Sequence, residues 1–270
     1  MTTHHRPLGG STFSFMWDRP LLPALRAMQT LGLNDFDVIL APGHLWYDEL
    51  SPSARADLAR GLSDEGLRID SLNLPALDVN LASCVAEVRD FSVRLYRETF
   101  RLAADLGVHN VVVVPGRVST LLPPKPADTL GWLRDSLERL LRMTEDTGQH
   151  LLVELHPLTP IPTTPGMLAF MDGIADPRLL IAYDVANAEF VGETQADALR
   201  SAASRLGQVH LSDGTRKAWR HDRVGSGTVD FKAVLATLDE LAFAGTAILE
   251  VISPDPIDDL TESMRRLRPG

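Results

Sequence analysis

Apolar runs too continuous to be half-exposed strands recur along this chain, and between them lie segments with helical periodicity. The residues 36–41, FDVILA, the run NVVVV ending at Val114, and Leu151, Leu152 and Val153 all lack polar alternation. Strands of that kind are covered on both faces, as in a parallel sheet with helices packed outside it. The pattern predicts strands at Gly9 to Met16, 36–41, LRIDSLN, NVVVV, LLVELHP at 151–157, 179–184, 207–211 and 246–252. Helices are expected at Pro20 to Leu33, from Ser51 to Glu65, at 84–106, from Ala127 to Thr147, for about ten residues after Thr164, and at 193–204, 230–243 and 257–267. Eight strands then alternate with eight helices.

Punctuation supports these boundaries. Ser51 followed by Pro52 is a favourable helix start, and Gly66, Gly107 and Gly148 stand where helices should end. On the long helix at 84–106, Cys84, Val88, Phe91, Leu95, Leu102 and Leu106 fall on one expected inner face. On the next, Leu130, Leu133, Leu137, Leu140 and Leu141 do the same.

A chain of 270 residues, 44 % hydrophobic, can fill one barrel of ordinary size or two small domains. The unbroken alternation decides for a single (β/α)8 TIM barrel over residues 1–270, with 1–8 as a flexible N-terminal end that includes His4 and His5. A doubly wound sheet binding nucleotides is disfavoured, because no GxGxxG follows a strand and no GxxxxGK[ST] loop occurs. The net charge of -10 argues against partners that are nucleic acids or anionic membranes. Cys84 is the single cysteine, expected as a small hydrophobe on its helix, so neither an intrachain disulfide nor a cysteine zinc site is available. With no signal-like run at the start and no stretch of 18 apolar residues, a cytoplasmic location is expected.

Four strands of the second half carry a metal-ligand type of side chain near the carboxyl end: Glu154, Asp184, His210 and Glu250. In a barrel those ends converge on one mouth. Three carboxylates and an imidazole suit one hard or borderline divalent cation. Mn²⁺ is the expected ion, and Mg²⁺, Co²⁺ or Zn²⁺ fit the same donors. A cation also accounts for the crowding, since carboxylates packed together without one repel.

The stretches VELHP, YDVANA, VHLSD, VGSGTVDF and ILEV resemble the xylose isomerase-like barrel superfamily, the group of sugar phosphate isomerases and epimerases. The resemblance runs along nearly the whole chain. It implies a divalent metal held by Glu154, Asp184, His210 and Glu250, and a small sugar, ketose or polyol as substrate. It further implies isomerase or epimerase chemistry through a metal-stabilised enediolate. In the ketose 3-epimerases of this family the carboxylates matching Glu154 and Glu250 also exchange protons with the substrate carbon, one on each face.

Substrate contacts are expected from His156, two residues after Glu154, and from Asn187, which stands where many members have a histidine. Asp213 and Arg216 match a Glu and a substrate-binding Arg, while His221 and Arg223 compete with Arg216 for that role. His44, Trp46 and Trp219 fall in mouth-side loops. Lyases that dehydrate inososes or dehydroshikimate share the metal set and remain the alternative. Apurinic endonucleases need three zinc ions, and here Asn187 and Trp219 replace two of the ligands. A non-catalytic binding barrel should have lost a ligand, and none is lost. Relatives commonly associate, so a homodimer or homotetramer is also expected.

Overall fold

The computed structural model describes residues 7–267. Strand β1 (Leu8–Ser11) is followed by α1 (Leu21–Gln29), β2 (Asp35–Ile39) by α2 (Pro52–Asp64), and β3 (Arg68–Asn73) by α3 (Ala86–Asp105). Next come β4 (Asn110–Val113), α4 (Pro126–Met143), β5 (His150–Glu154) and α5 (Thr164–Asp172). Strand β6 (Leu179–Asp184) runs directly into α6 (Val185–Val191) and α7 (Gln195–Ala202). Strand β7 (Leu206–Leu211) leads to a hairpin of β8 (Asp213–Thr215) and β9 (Ala218–Asp222). The chain closes with α8 (Phe231–Glu240), β10 (Thr246–Leu249) and α9 (Pro256–Leu267).

Eight parallel strands close into a barrel in the order β1-β10-β7-β6-β5-β4-β3-β2. The α/β barrel inferred from the alternation is therefore the fold. The main core lies between strands and helices, where Leu25, Phe36, Leu72, Tyr96, Leu133 and Leu199 are fully buried. Each such side chain contributes about 1.5–3 kcal/mol of burial. A separate cluster of Val112, Leu152 and Ala182 fills one side of the interior. Among the described residues no helix is long and apolar enough to cross a membrane.

Several local expectations are corrected. His4 and His5 lie outside the described residues, whereas Leu8, expected in the flexible end, pairs with Ala247 in the barrel. The first strand stops at Ser11 because the Phe15 N–H donates to Thr12 O at 2.9 Å and curls the chain. Helix α3 buries Ser92, Val93, Tyr96, Thr99, Phe100 and Ala103 as well as Leu102, a face rotated from the expected one. Phe91 is 42 % exposed, and Cys84 is exposed ahead of the helix. The rotation works because the Ser92 and Thr99 hydroxyls donate to Val88 O and Leu95 O of their own helix, so neither is buried unpaired.

Two bulges were not foreseen, nor was the hairpin. Between β2 and β3 the register slips, so that Phe36 pairs with Ile69 and Asp37 with Ser71, leaving Asp70 as the extra residue. Between β6 and β7, Ile181 pairs with Leu206 and Ala182 with Gln208, leaving Gly207 extra. A Cβ on Gly207 would stand 2.6 Å from Leu152 Cδ2, so a side chain there would displace Leu152. A bulge re-aims the residues that follow it. Here the two bring Gln208 against Asp70 across the bottom of the barrel, with Gln208 Nε2 donating to Asp70 Oδ2 and to Ser71 Oγ at 2.8 Å each.

Candidate metal centre and active-site cleft

Glu154, Asp184, His210 and Glu250 sit on β5, β6 and β7 and just beyond β10, four consecutive staves of the barrel. All four side chains are buried, and one ligand atom of each lies within 4.8 Å of those of the others. The strand register makes this possible, since Asp184 pairs with His210 and Glu250 follows Leu249, the partner of Leu211. The His210 Nδ1 stands 3.3 Å from Glu250 Oε2 and 4.0 Å from Asp184 Oδ2. Both His210 Nδ1 and Asp184 Oδ2 are buried without a hydrogen-bond partner. Leaving such atoms unpaired is costly. A divalent cation among the four side chains would satisfy both at once, and the donor set of three carboxylates and an imidazole is suited to it.

Neighbouring groups fix the ligands. His210 Nε2 donates to Gln208 Oε1 at 2.8 Å, while the Gln208 amide is oriented by Asp70 and Ser71. That leaves Nδ1 as the free face of the ring, an arrangement typical of metal-bound histidine. Asp184 has two roles. Its Oδ1 accepts the Asn187 N–H at 2.7 Å and caps α6, so only Oδ2 faces the cluster. Asn187 Nδ2 donates to Glu154 Oε1 at 3.3 Å, and its Oδ1 accepts the Trp219 indole N–H at 2.7 Å. Asn187 is thus committed to holding Glu154 and Trp219.

The electrostatics divide the two glutamates. Burial, then the charge of Glu250, pushes the Glu154 carboxyl above the usual range. Burial opposes ionisation of Glu250 too, yet His210 and His221 hold it well below that range. Burial likewise works against the imidazolium form of His210, but Glu250 and Asp37 raise it above its ordinary value. His156 goes the other way. Burial, then Arg117 and His221, lowers it to about 4, so the ring is neutral near pH 7. Its Nδ1 accepts the Leu158 N–H at 3.4 Å, which leaves the other nitrogen as the donor.

A cleft of about 350 Å³ opens above the cluster and is lined by both Glu154 and Glu250, but by neither Asp184 nor His210. Phe13, Leu77 and Ile252 give it an apolar wall, and His156 packs edge-on to Trp219 with ring centroids 4.4 Å apart. Arg117 also lines it, its guanidinium 5.8 Å from the Trp219 ring centre. Sequence reasoning passed over Arg117 and Gln208. The cue for Gln208 was its place two residues before His210, on the same side of the strand.

Of the remaining expected contacts, all but His221 lie elsewhere. Arg216 is 64 % exposed and faces Glu189 at 3.8 Å outside the cleft lining. Arg223 pairs loosely with Ser226 and Asp259, also outside it. Asp213 accepts the N–H groups of Gly214, Gly225 and Val229, which clamps the loop after the hairpin. His44 bridges Arg19 O and Thr12 Oγ1, and with Trp46 it lines a different cavity beside Leu22 and Leu58. His221 does line the cleft, but its Nδ1 turns inward to Asp184 and Glu250.

Known proteins are similar to this chain over most of its length. An uncharacterized protein from Methanocaldococcus jannaschii is 26 % identical over 188 residues, which cover 66 % of this chain and 63 % of that one. The D-psicose 3-epimerase of Agrobacterium fabrum is 22 % identical over 246 residues, covering 87 % of this chain and 80 % of that enzyme. Among solved structures, the IOLI protein with a bound zinc atom superposes with a TM-score of 0.81 at 16 % identity over 97 % of each chain. The family described as xylose isomerase-like TIM barrel matches residues 25–270, and the chain belongs to that family.

Proposed function

We propose that the protein is a divalent-metal-dependent epimerase or isomerase that moves a proton on the carbon beside the carbonyl of a sugar, ketose or related polyol. The observation that carries this reading is the division of the cluster. Glu154 and Glu250 stand at the two ends of the four-stave arc and both reach the cleft, whereas Asp184 and His210 lie beneath it. A substrate carbon held between them meets a carboxyl group from each side. Glu154 and Glu250 thus present one carboxyl group to each face of that carbon, the complement needed for two-sided proton transfer.

Glu154, Asp184, His210 and Glu250 would hold the cation, which when bound polarises the carbonyl and stabilises the enediolate left by proton removal. The chain supplies the rest. His156, neutral and aimed by Leu158, donates a hydrogen bond to a substrate oxygen. Trp219, fixed by Asn187, makes with Phe13 and Ile252 a wall that keeps bulk water from the reacting carbon. The similarity to a D-psicose 3-epimerase supports a ketose as the substrate class.

The test is an assay of Mn²⁺- and Zn²⁺-loaded protein in D2O against ketoses, inososes and dehydroshikimate. Deuterium should enter one substrate carbon with inversion or carbonyl migration, and Glu250→Gln should lose at least about a thousandfold in turnover. Loss of water from an inosose or from dehydroshikimate would instead assign a lyase. Turnover that survives both exhaustive chelation and Glu250→Gln would remove the metal-assisted reading.

A further inference from the structure

Among the described residues, one cation of the cleft is left without an anion. Arg117 and Arg220 are the two guanidinium groups that line it. Arg220 Nε donates to both Asp222 oxygens, at 2.9 and 2.8 Å, and Asp222 lines the cleft too, so that charge is paired in place. The Arg117 guanidinium meets neither a carboxylate nor a hydrogen-bond acceptor among the described residues. Its one partner is the Trp219 ring, whose centre is 5.8 Å away.

The backbone holds this arginine in place from two sides. Gly116, at a φ of 108°, packs so close to Asn80 that a Cβ would collide with the Asn80 amide. Asn80 Nδ2 donates to Arg117 O at 2.8 Å, and the Val118 N–H donates to Leu158 O at 3.0 Å. Arg117 therefore leaves the end of β4 at a point tied to the loops after β3 and β5, beside the stave that carries Glu154. A cation fixed at the mouth with its N–H donors unused is a binding group for an anion that arrives with the substrate.

We propose that Arg117 binds a carboxylate of the substrate, so that the preferred ketose or polyol is a sugar acid with its carboxylate apart from the reacting carbon. This rests on the epimerase reading above and narrows its substrate class. The guanidinium fork matches the two oxygens of a carboxylate in one plane and balances its single charge. A phosphate brings up to twice that charge and a third acceptor oxygen. The cleft has little left to meet them: no lysine lines it, the Asn73 amide donates to Asp37, and the Trp219 indole N–H donates to Asn187. Pro75, Ala76, Leu77 and Val114 add only apolar side chains.

The test is calorimetric binding of D-gluconate, D-glucitol and D-glucitol 1-phosphate to the Mn²⁺-loaded protein. These share one carbon skeleton and differ only at carbon 1, and none has a carbonyl, so binding is read without turnover. D-Gluconate should bind about ten- to a hundredfold more tightly than D-glucitol, and Arg117→Gln should bring the two within about threefold of each other. Equal binding of the two by the wild-type protein overturns the proposal, as does binding of none of the three. A preference that survives Arg117→Gln overturns it as well, since another group would then hold the carboxylate. Tighter binding of D-glucitol 1-phosphate than of D-gluconate replaces the carboxylate by a phosphate. The epimerase reading is decided separately, by deuterium entry into a neutral ketose.

Discussion

Beneath the cleft the barrel interior has two unlike sectors. On β4, β5 and β6 the inward residues are Val112, Leu152 and Ala182, a dry cluster. On β1, β2, β3 and β7 the buried residues are Ser11, Asp37, Ser71, Asn73 and Gln208, joined by hydrogen bonds. Two residues before each side chain of the candidate cluster, on the same side of its strand, stand Leu152 for Glu154, Ala182 for Asp184, Ile248 for Glu250 and Gln208 for His210. The carboxylates follow hydrocarbon, and the imidazole follows an amide. For Glu154 burial raises the cost of charge and with it the proton affinity, whereas for His210 the amide sets which ring nitrogen is free. The two sectors tune different properties of one cluster.

Substitutions that move one sector and spare the other examine this division. Gln208→Leu should have the largest effect, because it leaves His210 Nε2 and Asp70 Oδ2 without their partner. We expect a loss of about 4 kcal/mol in urea unfolding and a fall of about 10- to 100-fold in zinc affinity by chelator competition. Unchanged zinc affinity would show that the amide does not govern the ligand. Leu152→Ala opens a cavity in the dry sector and should cost about 3–4 kcal/mol, with zinc affinity kept within about threefold. A large loss of affinity there would erase the distinction between the sectors.

The smallest expected effect is on pH dependence. Burial raises the Asp37 carboxyl from 3.8 to about 6 against the hydrogen bonds from Ser71 and Asn73. The folded chain then keeps a proton that the unfolded chain releases, so the contribution of Asp37 is complete below pH 3.8 and is lost as pH rises through 6. Relative to Asp37→Asn, wild-type stability should fall by at most about 3 kcal/mol across that window, measured by urea unfolding at successive pH values. A difference that rises with pH would mean that the polar sector holds Asp37 ionised.

The fold was legible because parallel strands buried on both faces are written as unbroken apolar runs, and the candidate cluster was legible because Glu154, Asp184, His210 and Glu250 each stand at or near the end of a strand. What the strands rest upon was not. The bulges at Asp70 and Gly207 exchange inward and outward residues, and a period of two read along the sequence cannot anticipate that exchange. Nor could spacing from His210 separate Arg216, His221 and Arg223, since the hairpin turns successive residues to opposite sides and sends Arg216 toward Glu189. The face of α3 was misread for a simpler reason. Ser92 and Thr99 count as polar by type but are made buriable by their own helix, while Phe91 is left outside.

The Asp213 carboxylate, which gathers the N–H groups of Gly214, Gly225 and Val229, pins the hairpin at one foot, and the Ile252 N–H bonded to His221 O pins the other. Between them Arg216, Lys217 and Ala218 form an exposed tip. That tip lies outside the cleft lining, whereas Trp219 and His221 on the second strand line it. The hairpin is therefore held at its base and free at its tip, so that changes of sequence or length at the tip are separated from the two side chains it delivers to the cleft.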